Sequence, residues 1–290
     1  MPTSVKIDFI VPGFSKCGTT TLCALLDLHP DIYIPPIKEP WYFSHKSFET
    51  QHTCYDDHYS AASLGQLKGD GSTDYTGYLR EEISAHRIFE NNPECRFIFI
   101  ARDPRTRIES SYREMHHSGV TFGLNVPYGL SDCLQAYPQM IKDTLFWDRI
   151  SVYRRVFGDN KILVVFLEDL KSDNTETLNR CLAHIGLKPD KLIAEKIVSL
   201  NTGEKKLYDT RLYRFLRTNR YAGKWLSKLQ GAEQDRIFAP LGLRRAFGTS
   251  ALQWDPQSHE IFQKEIVPDS LKFLDFYNKP AIFWGLDEFI

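Results

Sequence analysis

The stretch IDFIVPGFSKCGTTTL, residues 7–22, constrains this chain more than any other. Its apolar run, Ile7, Phe9, Ile10 and Val11, reads as a buried strand, and Pro12-Gly13 ends it. A loop bearing Lys16 and Gly18 then feeds an amphipathic helix with Leu22, Leu25 and Leu26 on one face. A strand, a glycine-bearing loop and a helix N-terminus together hold anions. The first N–H groups of a helix lack intrahelical partners, and the helix dipole adds positive potential there. The hydroxyls of Thr19, Thr20 and Thr21 are further donors, and Lys16 supplies a full charge. A nucleoside-triphosphate loop needs Gly-Lys-Ser/Thr, with a hydroxyl behind the lysine to hold magnesium. Here the order is Lys16-Cys17-Gly18-Thr19-Thr20, so the lysine comes first. That order argues against a kinase or ATPase and leaves a phosphate site that need not use a metal.

With 290 residues, the chain has room for one large α/β domain or two small ones. Apolar residues at 42% and charged residues at 25% describe a globular soluble protein. A net charge of -1 gives no reason to expect a nucleic-acid or anionic-membrane partner. No apolar run approaches the ~20 residues of a membrane span, and no basic-then-apolar leader opens the chain. Cys17, Cys23, Cys54, Cys95, Cys133 and Cys181 are scattered without CxxC pairs. The expectation is therefore reduced thiols, no zinc site and a cytoplasmic location.

Further along, KEPWYFS carries Glu39 before Pro40 and the aromatics Trp41, Tyr42 and Phe43. A carboxylate among large rings is expected to be partly desolvated, which raises its pKa toward that of a general base. The competing reading is a surface glutamate in a loop. KGDGSTDY, residues 68–75, reads as a short strand ending in a turn, with Asp70 and Asp74 as turn residues first. RFIFIARDPRTRIESSYREM, residues 96–115, begins with a wholly apolar strand that suits a parallel sheet buried on both faces. Arg102 closes that strand, and Asp103-Pro104 opens a helix. Ligands of open α/β sheets bind beyond the carboxyl ends of the strands, where Arg102 and the first loop both fall. Ser110 shares a helical face with Asp103 and Thr106, while Ile108, Tyr112 and Met115 form the packing stripe. Arg102 could equally pair with a local carboxylate.

His116 and His117 end that helix, either as dipole partners or as a base. The glycines and aromatics of residues 118–129 suit a substrate-covering loop. A helix is expected over 138–157, then a buried strand within KILVVFLEDL, with Glu168 or Asp169 capping the next helix. From residue 200, basic residues interleave with Leu212, Tyr213, Phe215 and Leu216, which predicts an amphipathic helix with a solvated basic face. The loop 201–206, and Arg244 with Arg245, are candidates to close over a ligand phosphate. An amphipathic helix pair broken at Pro268 ends the chain. The whole reads as a P-loop-like three-layer α/β fold, a central parallel β-sheet flanked by helices.

Taken together, SKCGTTTLCALLDLHPDI, KEPWYFS, RDPRTRIESSY and LVVFLEDL resemble the sulfotransferases that use 3′-phosphoadenosine 5′-phosphosulfate (PAPS), in the branch of the heparan sulfate enzymes and their soluble bacterial relatives. The resemblance covers most of the chain and implies a single sulfotransferase domain over residues 1–290. By that resemblance, Lys16 and the backbone of Cys17, Gly18, Thr19, Thr20 and Thr21 hold the 5′-phosphosulfate. Arg102 and Ser110 bind the 3′-phosphate, and Glu39 is the general base. It further implies direct in-line transfer of the sulfuryl group, without a metal, to a hydroxyl or amine of a small-molecule or glycan acceptor. The aromatics Trp41 to Phe43 and Tyr128 are the expected acceptor walls. Two departures stand out. Family members often have Glu-Lys-Thr-Pro or Glu-x-Ser-Pro where this chain has Asp70-Gly71-Ser72-Thr73, so a second catalytic lysine contributed there is missing, and the late Lys-Gly-Arg loop is not recognisable. The rival readings are a small-molecule kinase using ATP and magnesium, and a non-catalytic nucleotide-binding module.

Overall fold

The computed structural model describes residues 3–50, 52–119, 123–189, 207–219, 226, 229, 231–246 and 252–290. In chain order the elements are β1 (Phe9–Gly13), α1 (Thr19–Leu26), β2 (Ile32–Tyr33), α2 (His52–Asp57), β3 (Leu67–Asp70), α3 (Glu81–Asn91), β4 (Arg96–Ala101) and α4 (Pro104–Ser118). There follow α5 (Leu130–Ala136), α6 (Gln139–Lys142), α7 (Phe146–Phe157), β5 (Ile162–Phe166), α8 (Leu167–Ser172) and α9 (Asn174–His184). Last come β6 (Leu207–Asp209), α10 (Arg211–Thr218), α11 (Gly231–Phe238), β7 (Arg244–Ala246), α12 (Pro256–Ile261) and α13 (Val267–Phe276). Two compact units divide them. Met1–Pro104, Lys142–Leu200 and Glu265–Ile290 form the first, and Arg105–Ile141 with Asn201–Lys264 the second.

The first unit is built on a five-stranded sheet in the order β2-β3-β1-β4-β5, with every pairing parallel. Phe9 stands opposite Gly69 on one side and Arg96 on the other. All of β1 and nearly all of β4 are buried, which their unbroken apolar runs require of strands covered on both faces. Helix α1 packs with α9, and α3 with α7, giving the expected helical layers. A cluster of aromatic rings fills the core beneath α13. Phe273 meets Phe14 at 6.0 Å, Phe146 at 5.6 Å and Phe166 at 6.0 Å between centroids, and stacks on Trp284.

Several expectations need correction here. The helix expected over 138–157 is interrupted between Lys142 and Phe146. The orphan donors at the start of α7 find a remote partner: Trp147 and Asp148 donate their backbone N–H to Asp269 on α13, at 3.0 and 2.9 Å. Glu168 and Asp169 lie inside the first turn of α8, and the cap of the following helix is Asp173, whose carboxylate accepts from the Glu176 N–H. Glu168 instead accepts from the Asp103 N–H, and Asp169 pairs with Lys279 at 2.8 Å. The last helices are joined by a π-helical stretch at Phe262–Ile266, and Pro268 sits in the first turn of α13, where its missing N–H costs nothing.

In the second unit β6 and β7 pair antiparallel, with Asp209 opposite Arg244. Helix α10 reverses the orientation expected of it. Tyr213 is buried, yet Leu212 and Phe215 are exposed, while Arg217 Nε lies 3.2 Å from buried Asp209 and Arg214 covers the Tyr128 ring at 3.9 Å. A buried carboxylate draws two arginines inward, so they do not form a solvated face. Arg244 is likewise buried and pairs with Asp209 and Asp235, an arrangement of internal ion pairs that corrects its candidacy for a ligand phosphate.

Phe273→Ala removes the ring that joins α13 to Phe14, Phe146 and Trp284. Urea denaturation is expected to show a loss of ~3–5 kcal/mol at unchanged m.

Candidate active site

Each strand from β2 to β4 releases its chain at the same edge of the sheet, because all are parallel. Hydrogen bonds brace the loop after β1. Phe14 N–H donates to Ile100 O at 2.9 Å, Cys17 N–H to Phe14 O at 3.1 Å, and Arg102 Nη1 to Lys16 O at 3.1 Å. Lys16 and Gly18 adopt positive φ, 67° and 98°. A Cβ on Gly18 would also come within 2.8 Å of Leu167 Cδ1, so this position needs glycine for both backbone and space. The first bond of α1 runs from Leu22 N–H to Gly18 O, at 3.0 Å. The amides of Thr19, Thr20 and Thr21 therefore precede the helical ladder, as an anion-binding N-terminus requires. The Cys17 amide is used inside the loop.

Glu39 follows β2 in a segment shaped by local turns. Lys38 N–H donates to Pro35 O at 2.7 Å, Gly71 N–H donates to Lys38 O at 3.0 Å, and Lys38 and Trp41 both have φ of 54°. These left-handed residues bracket Glu39-Pro40 and turn the Lys38 and Glu39 side chains toward each other. The Glu39 carboxylate accepts from Lys38 Nζ at 2.5 Å, Trp41 Nε1 at 3.1 Å, Thr73 Oγ1 at 3.0 Å and the Thr73 N–H at 3.4 Å. Burial pushes the carboxyl upward, but the Lys38 charge and the three donor groups outweigh it, and the net pKa lies below the ordinary glutamate value. The expectation of a raised pKa fails because the Lys38 charge and the hydrogen-bond donors outweigh the desolvation it was based on. Tyr42 and Phe43 are buried in a ring cluster with Tyr55 and Tyr75, leaving Trp41 as the exposed ring of the three, at 49%.

Beneath Glu39 lies a buried polar network that the sequence did not announce. Asp70 is fully buried and accepts from Tyr75 Oη at 2.8 Å, Tyr55 Oη at 3.0 Å and the Ser72 N–H at 2.8 Å. Ser72 Oγ in turn accepts from the Trp41 N–H at 3.0 Å. Burial pushes the Asp70 carboxyl upward against these hydrogen bonds. Asp70 thus fixes the turn that presents Thr73 to Glu39. Lys38 completes the assembly, for its Nζ also lies 3.4 Å from Thr19 Oγ1 at the start of α1.

The structure joins Arg102, Lys16, Thr19, Lys38, Glu39 and Thr73 through this chain of contacts, all within the first unit. Ser110 lies on α4 in the second unit and is half-buried. His116 is buried, its Nε2 lies 3.1 Å from Pro127 O, and burial lowers its pKa to about 4. His117 Nδ1 accepts from the Leu207 N–H at 3.2 Å, and its carbonyl accepts from Arg244. Both histidines are thus engaged within the second unit. Tyr128 lies under Arg214 and donates to Asp209 O at 2.7 Å. The candidate loop 201–206 and residues 120–122 of the expected covering loop lie outside the described residues. Among the described residues no cluster of three or more His, Cys, Asp or Glu side chains is placed to hold a metal.

The family model for the sulfotransferase domain matches residues 6–206. The chain belongs to the sulfotransferase domain family. Carbohydrate sulfotransferase 15 of Rattus norvegicus is 23% identical, with 67% of this chain and 46% of that protein covered. The chain thus spans about half the length of the curated relatives of that name. A sulfotransferase from Alicyclobacillus acidocaldarius shares the fold at a TM-score of 0.64 and 17% identity, covering 97% of this chain and 99% of that one. Mouse sulfotransferase SULT7A1, solved complexed with PAP, aligns at 0.51 and 13% identity, covering 100% of this chain and 91% of that one. As in those folds, a central parallel sheet carries this sulfotransferase domain's loops at its carboxyl edge.

A lowered Glu39 pKa means that ionised Glu39 stabilises the fold above its unfolded pKa, and that this contribution is lost as pH falls through the folded value. Carbon-13 NMR of the labelled carboxyl is expected to give a midpoint below that of a free glutamate, and Thr73→Val is expected to move it upward. A midpoint at or above the ordinary value contradicts this account.

Proposed function

We propose that this chain is a PAPS-dependent sulfotransferase acting, as a single sulfotransferase domain, on a hydroxyl or amine of a small-molecule or glycan acceptor. The observation that carries the reading is the chain of contacts from the start of α1 through Lys38 to Glu39, which sets a carboxylate beside an anion-binding helix N-terminus. Membership of the sulfotransferase domain family supports it, as do the carbohydrate sulfotransferase name of one relative and the PAP found with a protein of the same fold. The six cysteines stand as thiols, which suits a cytoplasmic location.

The residues present fit an anionic donor. Lys16 and the amides of Thr19 to Thr21 are assigned to the 5′-phosphosulfate, with Gly18 giving the loop its left-handed turn. Arg102 is assigned to the 3′-phosphate, and the same role for Ser110 rests on the family resemblance. Bound PAPS supplies the sulfuryl group: the acceptor oxygen bonds to sulfur as the bond to the 5′-phosphate oxygen breaks, and that oxygen keeps the electron pair. Glu39 takes the acceptor's proton. Lys16 and the helix N-terminus neutralise charge on the departing phosphate, and removing one such donor costs ~10²–10³-fold in rate.

Thermal-shift titration is expected to show stabilisation by adenosine 3′,5′-bisphosphate (PAP) and none by ATP with magnesium, since a ligand stabilises only a state it binds. Glu39→Gln is expected to retain PAP affinity while losing at least ~10²-fold in sulfate transfer from labelled PAPS to a panel of phenols, alcohols and glycans. Stabilisation by ATP with magnesium alone would return the chain to the kinase reading.

A further inference from the structure

We propose that Lys38 is a second cationic contact for the transferred sulfuryl group, held by Glu39 until the donor arrives. The inference rests on the sulfotransferase reading above and adds a residue to it. Three observations carry it. The Lys38 amine touches both Glu39 and Thr19, so it already stands between the carboxylate and the first turn of α1. Its side chain is only 17% exposed, so the ammonium is partly withdrawn from water and its charge–charge contacts are strengthened. Its stem also crosses Gly71, where a Cβ would meet Lys38 Cγ at 3.0 Å and Cε at 3.2 Å. Glycine at position 71 leaves the space through which Lys38 reaches the helix.

The charges facing this pair leave Lys38 in place to neutralise an anion. Cys23 on α1 is kept a neutral thiol, its pKa pushed up to about 12 by burial, and Asp70 below is taken up by Tyr55, Tyr75 and Ser72. Glu39 is thus the carboxylate that Lys38 contacts, at 27% exposure. A sulfuryl group at the start of α1 brings negative charge to the other side of the same amine. As the amine turns to it, Glu39 loses its strongest partner and becomes a better base while the acceptor is present. Lys38 forms no bond and moves no proton in this scheme. It shifts its charge from the base to the transferred group.

The test compares Lys38→Met, which keeps the stem over Gly71 and removes the charge, with the intact chain. Calorimetric titration with PAPS, in the absence of acceptor, is expected to show at least ~10-fold weaker binding in the variant, the value of one charge-assisted contact. PAP lacks the sulfuryl group, and its affinity is expected to be unchanged. Turnover falls ~10²–10³-fold. The Glu39 carboxyl of the ligand-free variant titrates at higher pH than in the intact chain, whereas Lys38→Arg keeps it low. Should Lys38→Met fail to fold, Lys38→Gln poses the same question, since its amide still reaches Thr19 and Glu39 without a charge. Equal weakening of PAPS and PAP, or undiminished PAPS affinity and turnover, would overturn the role given to Lys38. An intact chain that binds neither PAPS nor PAP would instead overturn the sulfotransferase reading itself.

Discussion

The site depends on the burial of β1. That strand is covered on both faces and hydrogen-bonded along both edges, between β3 and β4, so the chain beyond Gly13 can leave only at the carboxyl end of the sheet. Because its neighbours run the same way, the ends of β3 and β4 arrive beside it. The bonds from Phe14 to Ile100 and from Arg102 to Lys16 then tie the loop after β1 to the end of β4. A slip of β1 by one residue would carry Lys16 away from that brace and would turn Phe9 and Val11 off their faces. Thus the packing that makes the strand apolar also fixes where the loop's charge is held.

Electrostatically the site is cationic with one embedded carboxylate. The start of α1, Lys16, Arg102 and Lys38 all favour anions, and Glu39 is held ionised by the nearest of them. A carboxylate with a lowered pKa is fully charged at neutral pH but weak as a proton acceptor. The two demands conflict only while Lys38 remains paired. In the proposed scheme an incoming anion of greater charge competes for the same ammonium, which would couple donor binding and basicity through one side chain.

The framework was legible because its signals are local. Unbroken apolar runs mark β1, β4 and β5, and Lys16 to Leu26 carries its own loop and helix pattern. What was not legible depends on partners distant in sequence. Periodicity shows that α10 is amphipathic but not which side faces inward, and Asp209 with Tyr128 decides that in favour of the arginines. Glu39 was found through its neighbours along the chain, and its pKa was misjudged for the same reason. Tyr42 and Phe43 follow it in sequence yet pack away from it, whereas Thr73 lies 34 positions on and donates to it. Lys38 was hidden by adjacency, since consecutive side chains in extended backbone diverge, and only the positive φ at Lys38 brings these two together.

Asp70 shows how the second layer of the site is maintained. Burying a carboxylate is costly unless its lone pairs are met by donors, and here two tyrosine hydroxyls and a backbone amide meet them. A fully satisfied buried network fixes geometry more tightly than apolar packing does, because each hydrogen bond fixes both distance and direction. Through Ser72 that geometry reaches the Trp41 amide, and through the turn it reaches Thr73, so both ends of the Glu39 segment are referred to the same buried carboxylate. The aromatic cluster of Tyr42, Phe43, Tyr55 and Tyr75 is therefore the rigid ground on which the Glu39 carboxylate and its lysine are set.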